Sequence, residues 1–340
     1  MKVHYTASLW SKEKGACGSI QKTNWQFEFL GLGRCIPCIY HFREGIVFDL
    51  LTFLDTNKMR GYFEKYAEIA DKLTPIEQQC AEQEHPYQEM KISEIWIDGH
   101  KIEGYSSSAA TNIPFARESS ELLPVQKAYG SMLDEAACFN CHRFCVPYPK
   151  ADTAMQKLLR ILHSGRISTL KLVTGERRRF YPVDLRFTLS EEEGTKNVSF
   201  IHPITGITHH LYLQHDEVLE IPQAADRKQC FYFMVASYEI DPPLQPDDRL
   251  QFDNSISYAT PPTEDFAPTA SSVGIIGRAF GPTAIFLPGR DGKKVSVGSH
   301  GLPLHYCFST MTLEKSQRAQ FVIQGLDAKI GDRVIYEFER

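Results

Sequence analysis

The spacing of apolar residues divides the chain into strand-like runs, a helical stretch and a second set of strand-like runs. Near the start, short runs rich in Val, Ile, Phe and Tyr, such as 25–30 and 36–42, favour β-strands. Between residues 57 and 73, apolar side chains recur at steps of three and four, which predicts an amphipathic helix. From about residue 166 the alternation returns to period two, which indicates a second strand-rich region.

Turn and capping signals refine these elements. Thr74-Pro75-Ile76-Glu77 combines an N-cap hydroxyl with a proline and a glutamate in the first turn, so a second short helix should begin there. Asp98-Gly99 predicts the tight turn of a hairpin over residues 91–104. The small, polar stretch 106–112 is predicted to be a loop. A further helix is expected from Asp152 to Gly165, and two late hairpins over 284–297 and 319–338.

Together these signals predict an α+β, strand-rich fold with two antiparallel, sandwich-like sheet domains and helices between them. A chain of 340 residues is long enough for two domains. We expect residues 1–115 to form a strand-rich domain with a helical insertion at 57–84, residues 116–165 to form a helical connector, and residues 166–340 to form a sandwich-like domain.

Composition and charge narrow the classes of function. With 42% hydrophobic and 23% charged residues the chain has a globular composition, and its formal charge of −5 provides no positive field for a nucleic acid. The first residues lack the apolar core of a signal peptide. Nine cysteines, an odd number, are typical of reduced thiols rather than of a disulfide scaffold. We therefore expect a cytoplasmic protein without a nucleic-acid or membrane partner.

One glycine-rich segment carries a resemblance to a known family. The run SVGIIGRAFGPTAIFL, from Ser272 to Leu287, resembles a motif of the β subunit of sodium-translocating decarboxylases, which reads GIIGGADGPT. In the pump the aspartate of that motif is implicated in sodium binding, but this chain has Phe280 there. A membrane helix also needs ~20 apolar residues, and the best window, 271–289, contains Arg278, two prolines and four glycines. We expect a chain that is not the membrane pump.

Other segments are similar to a set of soluble, uncharacterised bacterial proteins that carry the same motif, some of them under the decarboxylase name. This resemblance covers most of the chain and implies neither an activity nor catalytic residues. The segments that carry it are 41–49, 84–87, 144–149, 200–206 and 304–338.

A cluster of cysteines offers a candidate metal site. Cys138, Cys141, His142 and Cys145 lie within eight residues, and thiolates two residues apart can bind one zinc ion from a tight turn. The Cys35–Cys38 pair could complete a four-thiolate site. Two alternatives stay open: buried free thiols, and haem attachment at the Cys-x-x-Cys-His string. Buried free thiols are the favoured interpretation, so we expect no cofactor, with zinc as the possible exception.

Four histidines, His202, His209, His210 and His215, lie close together in a second candidate site. If residues 202 and 207 face each other in a hairpin, His202 and His209 are diagonal neighbours on one sheet face, whereas His215 lies about 20 Å further along the strand. One metal ion cannot bridge all of them without a bend in the strand. An exposed or hydrogen-bonded strand face is favoured over catalysis.

Two hypotheses for the function follow. The first is a non-catalytic binding or structural protein that presents loops or sheet edges to a protein or glycan partner. The second is a hydrolase, either metal-assisted or dependent on cysteine and histidine, built around Cys138, Cys141 and His142 or around His209 and His210. The hydrolase hypothesis requires the named side chains to converge in the fold, whereas the binding hypothesis does not.

Overall fold

The computed structural model describes a strand-rich chain with few helices, as predicted. The described residues are 3–9, 17–115, 122–130, 132–133, 138–149, 166–222, 230–253, 274–276, 284–286, 297–312 and 315–340. The helices are α1 (Thr56–Tyr66), α2 (Pro75–Glu84) and α3 (Leu123–Tyr129), with a 3-10 turn at Ala70–Lys72. The strands are β1 (Ser19–Phe29), β2 (Leu32–His41), β3 (Gly45–Phe53), β4 (Ile92–Ile97), β5 (His100–Ile102), β6 (Ser106–Asn112), β7 (Phe139–Pro147), β8 (Thr169–Thr174), β9 (Arg177–Ser190), β10 (Thr195–Ile201), β11 (Thr208–Pro222), β12 (Cys230–Asp241), β13 (Arg249–Phe252), β14 (Gly274–Ile276), β15 (Ala284–Phe286), β16 (His305–Phe308), β17 (Arg318–Gly331) and β18 (Ile335–Glu339).

The chain divides into two compact units. Unit 1 comprises Met1–Leu73, Ala81–Arg177 and Gly331–Arg340, and unit 2 comprises Thr74–Cys80 and Arg178–Ile330. This division lies twelve residues beyond the start predicted for the second domain, because β8 pairs with β4 and with the last strand, β18, inside unit 1. In the segment predicted as a helical connector, the described residues form both a helix, α3, and a strand, β7.

Unit 1 contains two antiparallel sheets whose facing sides share one hydrophobic core. The first sheet has the strand order β1-β2-β3-β7-β6 and the second has the order β18-β8-β4-β5. Ile36, Phe48 and Leu50 from the first sheet pack in the same cluster as Ile95 and Leu172 from the second. This arrangement is the antiparallel sandwich that the alternating apolar runs predict.

The five-stranded sheet of unit 1 is covered on its other face as well. Val3 near the start of the chain and Val125 and Tyr129 of α3 pack in one cluster with Val47 and Leu51 of β3. Because β3 is buried on both faces, its sequence is a nearly continuous apolar run rather than an alternating one. The one charged residue in that run, Asp49, therefore requires a buried partner.

Unit 2 contains two further antiparallel sheets with a shared core. Their strand orders are β10-β11-β12-β16 and β13-β17-β9. Leu211 and Ala236 of the first sheet lie in one cluster with Leu189, Phe321 and Phe187 of the second. The rings of Phe187 and Phe321 stack with their centroids 5.4 Å apart. Apart from these sheets, β14 pairs with β15.

Two local signals are confirmed by the geometry. Helix α2 begins where the capping signal predicts: the Thr74 backbone N–H donates to Glu77 Oε2 at 2.8 Å, and the Glu77 N–H donates to Thr74 Oγ1 at 3.3 Å. The hairpin of β4 and β5 turns at Asp98 and Gly99, whose φ angles are 48° and 79°. The helix predicted for 57–73 ends earlier, at Tyr66, and a 3-10 turn follows.

Two predictions made from local residues are wrong. The stretch 106–112 is not a loop but strand β6, which pairs in unbroken register with β7. The region 319–338 is not a hairpin, because β17 pairs with β13 while β18 pairs with β8. In both cases the pairing partner lies far away in the sequence, so that local turn residues do not determine the structure.

Some predictions lie outside the described residues. These are the helix from Asp152 to Gly165, most of the hairpin over 284–297, and most of the glycine-rich segment 272–287. Within the described part of the chain, none of the helices has the length and apolar character needed to cross a membrane.

Gly45 provides a test of the close packing between β3 and β7. A Cβ atom at this position would overlap the carbonyl oxygen of Val146 and would lie 2.8 Å from Pro147 Cα. Gly45→Ala should therefore lower the free energy of unfolding by about 1–3 kcal/mol, as measured by urea denaturation. Gly61→Ala in α1 is the control, because no atom lies within 4 Å of its Cβ position, and it should raise stability by about 0.5–1 kcal/mol. Equal effects of the two substitutions would contradict this description of the packing.

Candidate functional site

Three of the four residues of the predicted metal site lie in one extended strand, β7, rather than around a tight turn. Cys141 and Cys145 of β7 are buried on the face that α3 covers. His142 lies on the opposite face, with its ring centroid 4.1 Å from that of Phe144. Cys138 directly precedes the strand and packs with a separate apolar cluster around α1. Cys141 and Cys145 are four residues apart on a strand, which separates their Cα atoms by about 13 Å.

The structure does not bring these four side chains together. Among the described residues, no group of three or more His, Cys, Asp or Glu side chains is placed to hold a metal ion. Burial raises the pKa of the Cys141 thiol well above its ordinary value and the pKa of Cys35 to about 11. These thiols are therefore protonated at neutral pH, whereas a cysteine nucleophile would be a thiolate.

The same strand contributes one residue to a buried ion pair that no sequence motif indicates. Asp49 of β3 stands directly opposite Arg143 of β7. Arg143 Nε donates to Asp49 Oδ1 at 2.7 Å and Nη2 donates to Oδ2 at 2.9 Å, a two-pronged pairing of guanidinium and carboxylate. The Tyr129 hydroxyl of α3 donates to Asp49 Oδ2 at 2.8 Å. The sequence signal for this pair is one acidic and one basic residue inside two otherwise apolar runs.

The electrostatics of this network favour a structural role. Burial disfavours the charge on Arg143, but the hydrogen bonds and the attraction from Asp49 outweigh burial and raise its pKa. Burial and the neighbouring Asp49 charge raise the pKa of Tyr129, so its hydroxyl stays protonated. The network therefore joins α3 to the sheet, because both oxygens of the Asp49 carboxylate accept hydrogen bonds.

The histidine-rich segment forms the predicted hairpin between β10 and β11. Phe200 stands opposite His209 in the strand register. The His202 N–H donates to the Ile207 carbonyl at 2.8 Å, so residues 202 and 207 face each other as predicted. The turn between them includes Gly206, whose φ angle of 72° favours glycine.

The side chain of His202 stabilises the turn of this hairpin. Its side chain is buried, and its Nδ1 accepts hydrogen bonds from the backbone N–H groups of Ile204 and Thr205, both at 3.2 Å. Because Nδ1 acts as an acceptor, the ring proton of the neutral form belongs on Nε2, which lies 3.1 Å from Asp248 Oδ2. The ring thus connects the turn to the loop before β13.

His209 makes a second connection to the same part of unit 2. Its Nδ1 lies 2.6 Å from the Pro242 carbonyl oxygen, which only accepts, so Nδ1 donates this hydrogen bond. The buried ring stacks on Phe200 and its centroid lies 5.6 Å from that of His202. We call His202 and His209 the histidine clamp.

The other two histidines do not join the clamp. The next residue in β11, His210, is exposed and lies 2.8 Å from Ser199 Oγ through its Nδ1. His215 lies farther along the strand, at a bulge before Glu217. His209 and His210 alternate between opposite faces of the sheet and do not converge.

The turn that the clamp holds carries exposed apolar side chains. Ile201, Ile204 and Ile207 are 66%, 52% and 49% exposed, and no charged residue lies between positions 201 and 208. We call these three residues the isoleucine tip. A group of exposed apolar side chains on an ordered turn is a feature of interaction sites.

Comparisons of the chain with protein-family models, with curated proteins and with solved structures gave no match.

Proposed function

We propose that the chain is a non-catalytic binding protein that docks onto an apolar site of a protein partner through the isoleucine tip. The observation that carries this proposal is the exposure of Ile201, Ile204 and Ile207 on a turn fastened by the histidine clamp. The hydrogen bonds of His202 order the turn, the hydrogen bond of His209 ties β11 to Pro242, and the tip contains no group suited to catalysis.

The energetics of association support a docking role. Fully burying an isoleucine side chain stabilises a complex by about 1.5–3 kcal/mol, and each of the three side chains still has about half or more of its surface left to bury. A turn that is already ordered loses less conformational entropy on binding than a free loop. The clamp therefore holds the end of the hairpin, with its exposed isoleucines, in place before a partner binds.

The chemistry of the tip favours a protein partner over a glycan. Its three contact side chains are aliphatic, and they provide neither the aromatic faces nor the polar groups that a sugar would need. A partner groove lined by leucine, methionine or phenylalanine matches the tip by shape and polarity. The absence of charge between 201 and 208 predicts that binding depends little on salt.

Selection from a phage-displayed peptide library tests this proposal. Peptides selected on the wild-type chain should be enriched in apolar residues. They should bind the triple variant Ile201→Ser, Ile204→Ser, Ile207→Ser at least about 10-fold more weakly, because apolar anchors dominate interface energies. Both proteins should unfold at similar denaturant concentrations, because exposed side chains contribute little to folding stability.

A matched control removes three exposed apolar side chains from unit 1. The variant Ile20→Ser, Leu30→Ser, Ile69→Ser changes residues that are 55%, 45% and 40% exposed, and it should bind the selected peptides as the wild type does. Peptides that bind the tip variant and the wild type equally would contradict the proposal, as would a selection that enriches no apolar sequence.

A further inference from the structure

The strand β6 forms one edge of the five-stranded sheet in unit 1. Of the strands that the structure describes, only β7 pairs with it, and this pairing runs from Ser106 opposite Cys145 to Asn112 opposite Phe139 without a register shift. In an antiparallel sheet, alternate residues of an edge strand direct their backbone N–H and C=O groups away from their one neighbour. About half of the residues of β6 therefore offer these groups along a straight edge.

This edge lacks the protection that the other edge strands have. Proteins prevent unwanted pairing at sheet edges with short strands, charged side chains or bulges. Each of the other described edge strands of the four larger sheets carries a charged residue or has at most four residues. At the opposite edge of the same sheet, β1 carries Lys22 and Glu28 and has a bulge between Lys22 and Trp25. In contrast, β6 is 7 residues long, has no bulge, and contains neither a charged residue nor a proline.

The side chains of β6 leave room for a second backbone to approach. All of them are small, since the strand consists of serine, alanine, threonine and asparagine, and Ser106, Ser107 and Ala109 are exposed. Neighbouring strands of a sheet lie about 4.7–4.9 Å apart, so side chains on the two paired edges come into contact. A strand added to this edge would meet neither a bulky nor a charged side chain of β6.

We propose that β6 pairs antiparallel with the β6 strand of a second copy of this chain, in a symmetric dimer with Ala109 on the two-fold axis. Ala109 is the middle residue, so this register uses the whole strand and places Ser107 of each copy opposite Thr111 of the other. Pairs of serine and threonine hydroxyls stabilise neighbouring antiparallel strands. The two edges would share about six to eight backbone hydrogen bonds. The two-fold pairing uses the edge of both copies, so assembly stops at a dimer.

The charge pattern favours a second copy as the occupant of this edge. In a two-fold pairing the central side chains face their own counterparts, so a charged residue there would face a like charge. Ser108, Ala109 and Ala110 are neutral and tolerate this arrangement. The whole chain has a formal charge of −5, so two copies associate most easily through a surface that carries no charge. This surface belongs to unit 1, whereas the isoleucine tip belongs to unit 2.

Sedimentation equilibrium of the wild-type chain between about 1 and 300 µM tests this pairing. The average mass should rise with concentration toward that of a dimer and not beyond it. Ala109→Lys and Ala109→Glu should each weaken dimerisation by about 10-fold or more at low salt, because two like charges then meet at the axis. An equimolar mixture of these two variants should form a heterodimer, because residue 109 of one copy faces residue 109 of the other.

Two control variants separate the β6 edge from other surfaces. Gln26→Lys adds the same charge at an exposed position of β1, the opposite edge of the sheet, and should dimerise as the wild type does. The triple variant of the isoleucine tip should also dimerise normally. Loss of the dimer in the tip variant, with Ala109→Lys unaffected, would assign self-association to the tip and overturn the pairing of β6.

Hydrogen exchange of the wild-type chain makes the test independent of the folding of any variant. The backbone amides of residues 106–112 should exchange more slowly at high than at low protein concentration, because pairing with a second copy protects them. Unchanged exchange in this segment while the chain dimerises would place the interface elsewhere. A wild-type chain that stays monomeric up to about 300 µM, or that assembles beyond a dimer, would equally overturn the proposal.

Discussion

Replacing Asp49 by alanine should lower the free energy of unfolding of the chain by about 3–5 kcal/mol. The substitution leaves the Arg143 guanidinium buried without its carboxylate, and it removes the acceptor of the Tyr129 hydroxyl on α3. Both lost contacts lie in the part of the sheet that is covered on its two faces, where water does not replace them. Equilibrium denaturation in urea, followed by circular dichroism, measures the change.

A double substitution separates the cost of an unpaired charge from the value of the ion pair. Asp49→Leu combined with Arg143→Met replaces both charges by apolar groups, and it should recover most of the stability that Asp49→Ala loses. The control Arg186→Ala removes the basic partner of an exposed ion pair with Asp184 and should change stability by less than about 1 kcal/mol. An Asp49→Ala variant that unfolds at the wild-type denaturant concentration would contradict the role assigned to the pair.

Replacing His202 by alanine should lower stability by about 1–3 kcal/mol, since the buried Asp248 carboxylate loses its partner. The N–H donors of Ile204 and Thr205 lose their acceptor as well, which loosens the turn. The variant should also bind tip-selected peptides more weakly, although all three isoleucines are still present. Urea denaturation and amide hydrogen exchange at residues 204 and 205 measure the two effects.

His210→Ala is the matched control for the clamp. His210 lies in the same hairpin but is exposed, so its replacement should change stability by less than about 0.5 kcal/mol and leave peptide binding intact. If His202→Ala and His210→Ala gave the same small effects, the buried histidines would not be what orders the tip.

Local sequence signals predicted much of the fold because the elements concerned are determined by nearby residues. The capping pattern at Thr74 and Glu77 spans four residues, and the Asp98-Gly99 turn spans two. The alternating runs after residue 166 correspond to strands that bury one face in unit 2. Period-two alternation indicates such strands directly.

Pairing between distant strands could not be predicted in the same way. The run 106–112 has too few apolar residues to look like a strand, and it becomes one because β7 provides its hydrogen bonds. The last strand leaves its neighbour in sequence and pairs with β8, more than 150 residues away. These outcomes depend on which sheet edges meet in the folded chain rather than on local preference.

The candidate sites, too, could be predicted only where nearby residues determine them. The hairpin register predicted that His202 and His209 are diagonal neighbours on one sheet face, but their partners Asp248 and Pro242 are 46 and 33 residues away and carry no motif. The Cys-x-x-Cys spacing suggested a turn, whereas the apolar residues around it are buried in strand β7. A strand alternates its side chains between two faces, which separates Cys141 from His142.

The most direct test of the docking surface is a methyl NMR spectrum of the wild-type chain with a saturating tip-selected peptide. The Cδ1 methyl signals of Ile201, Ile204 and Ile207 should shift and show intermolecular contacts with the apolar side chains of the peptide, while the isoleucine methyls of unit 1 keep their positions. A peptide that binds tightly but perturbs methyl groups elsewhere, and leaves these three unchanged, would contradict the assignment of the tip as the binding surface.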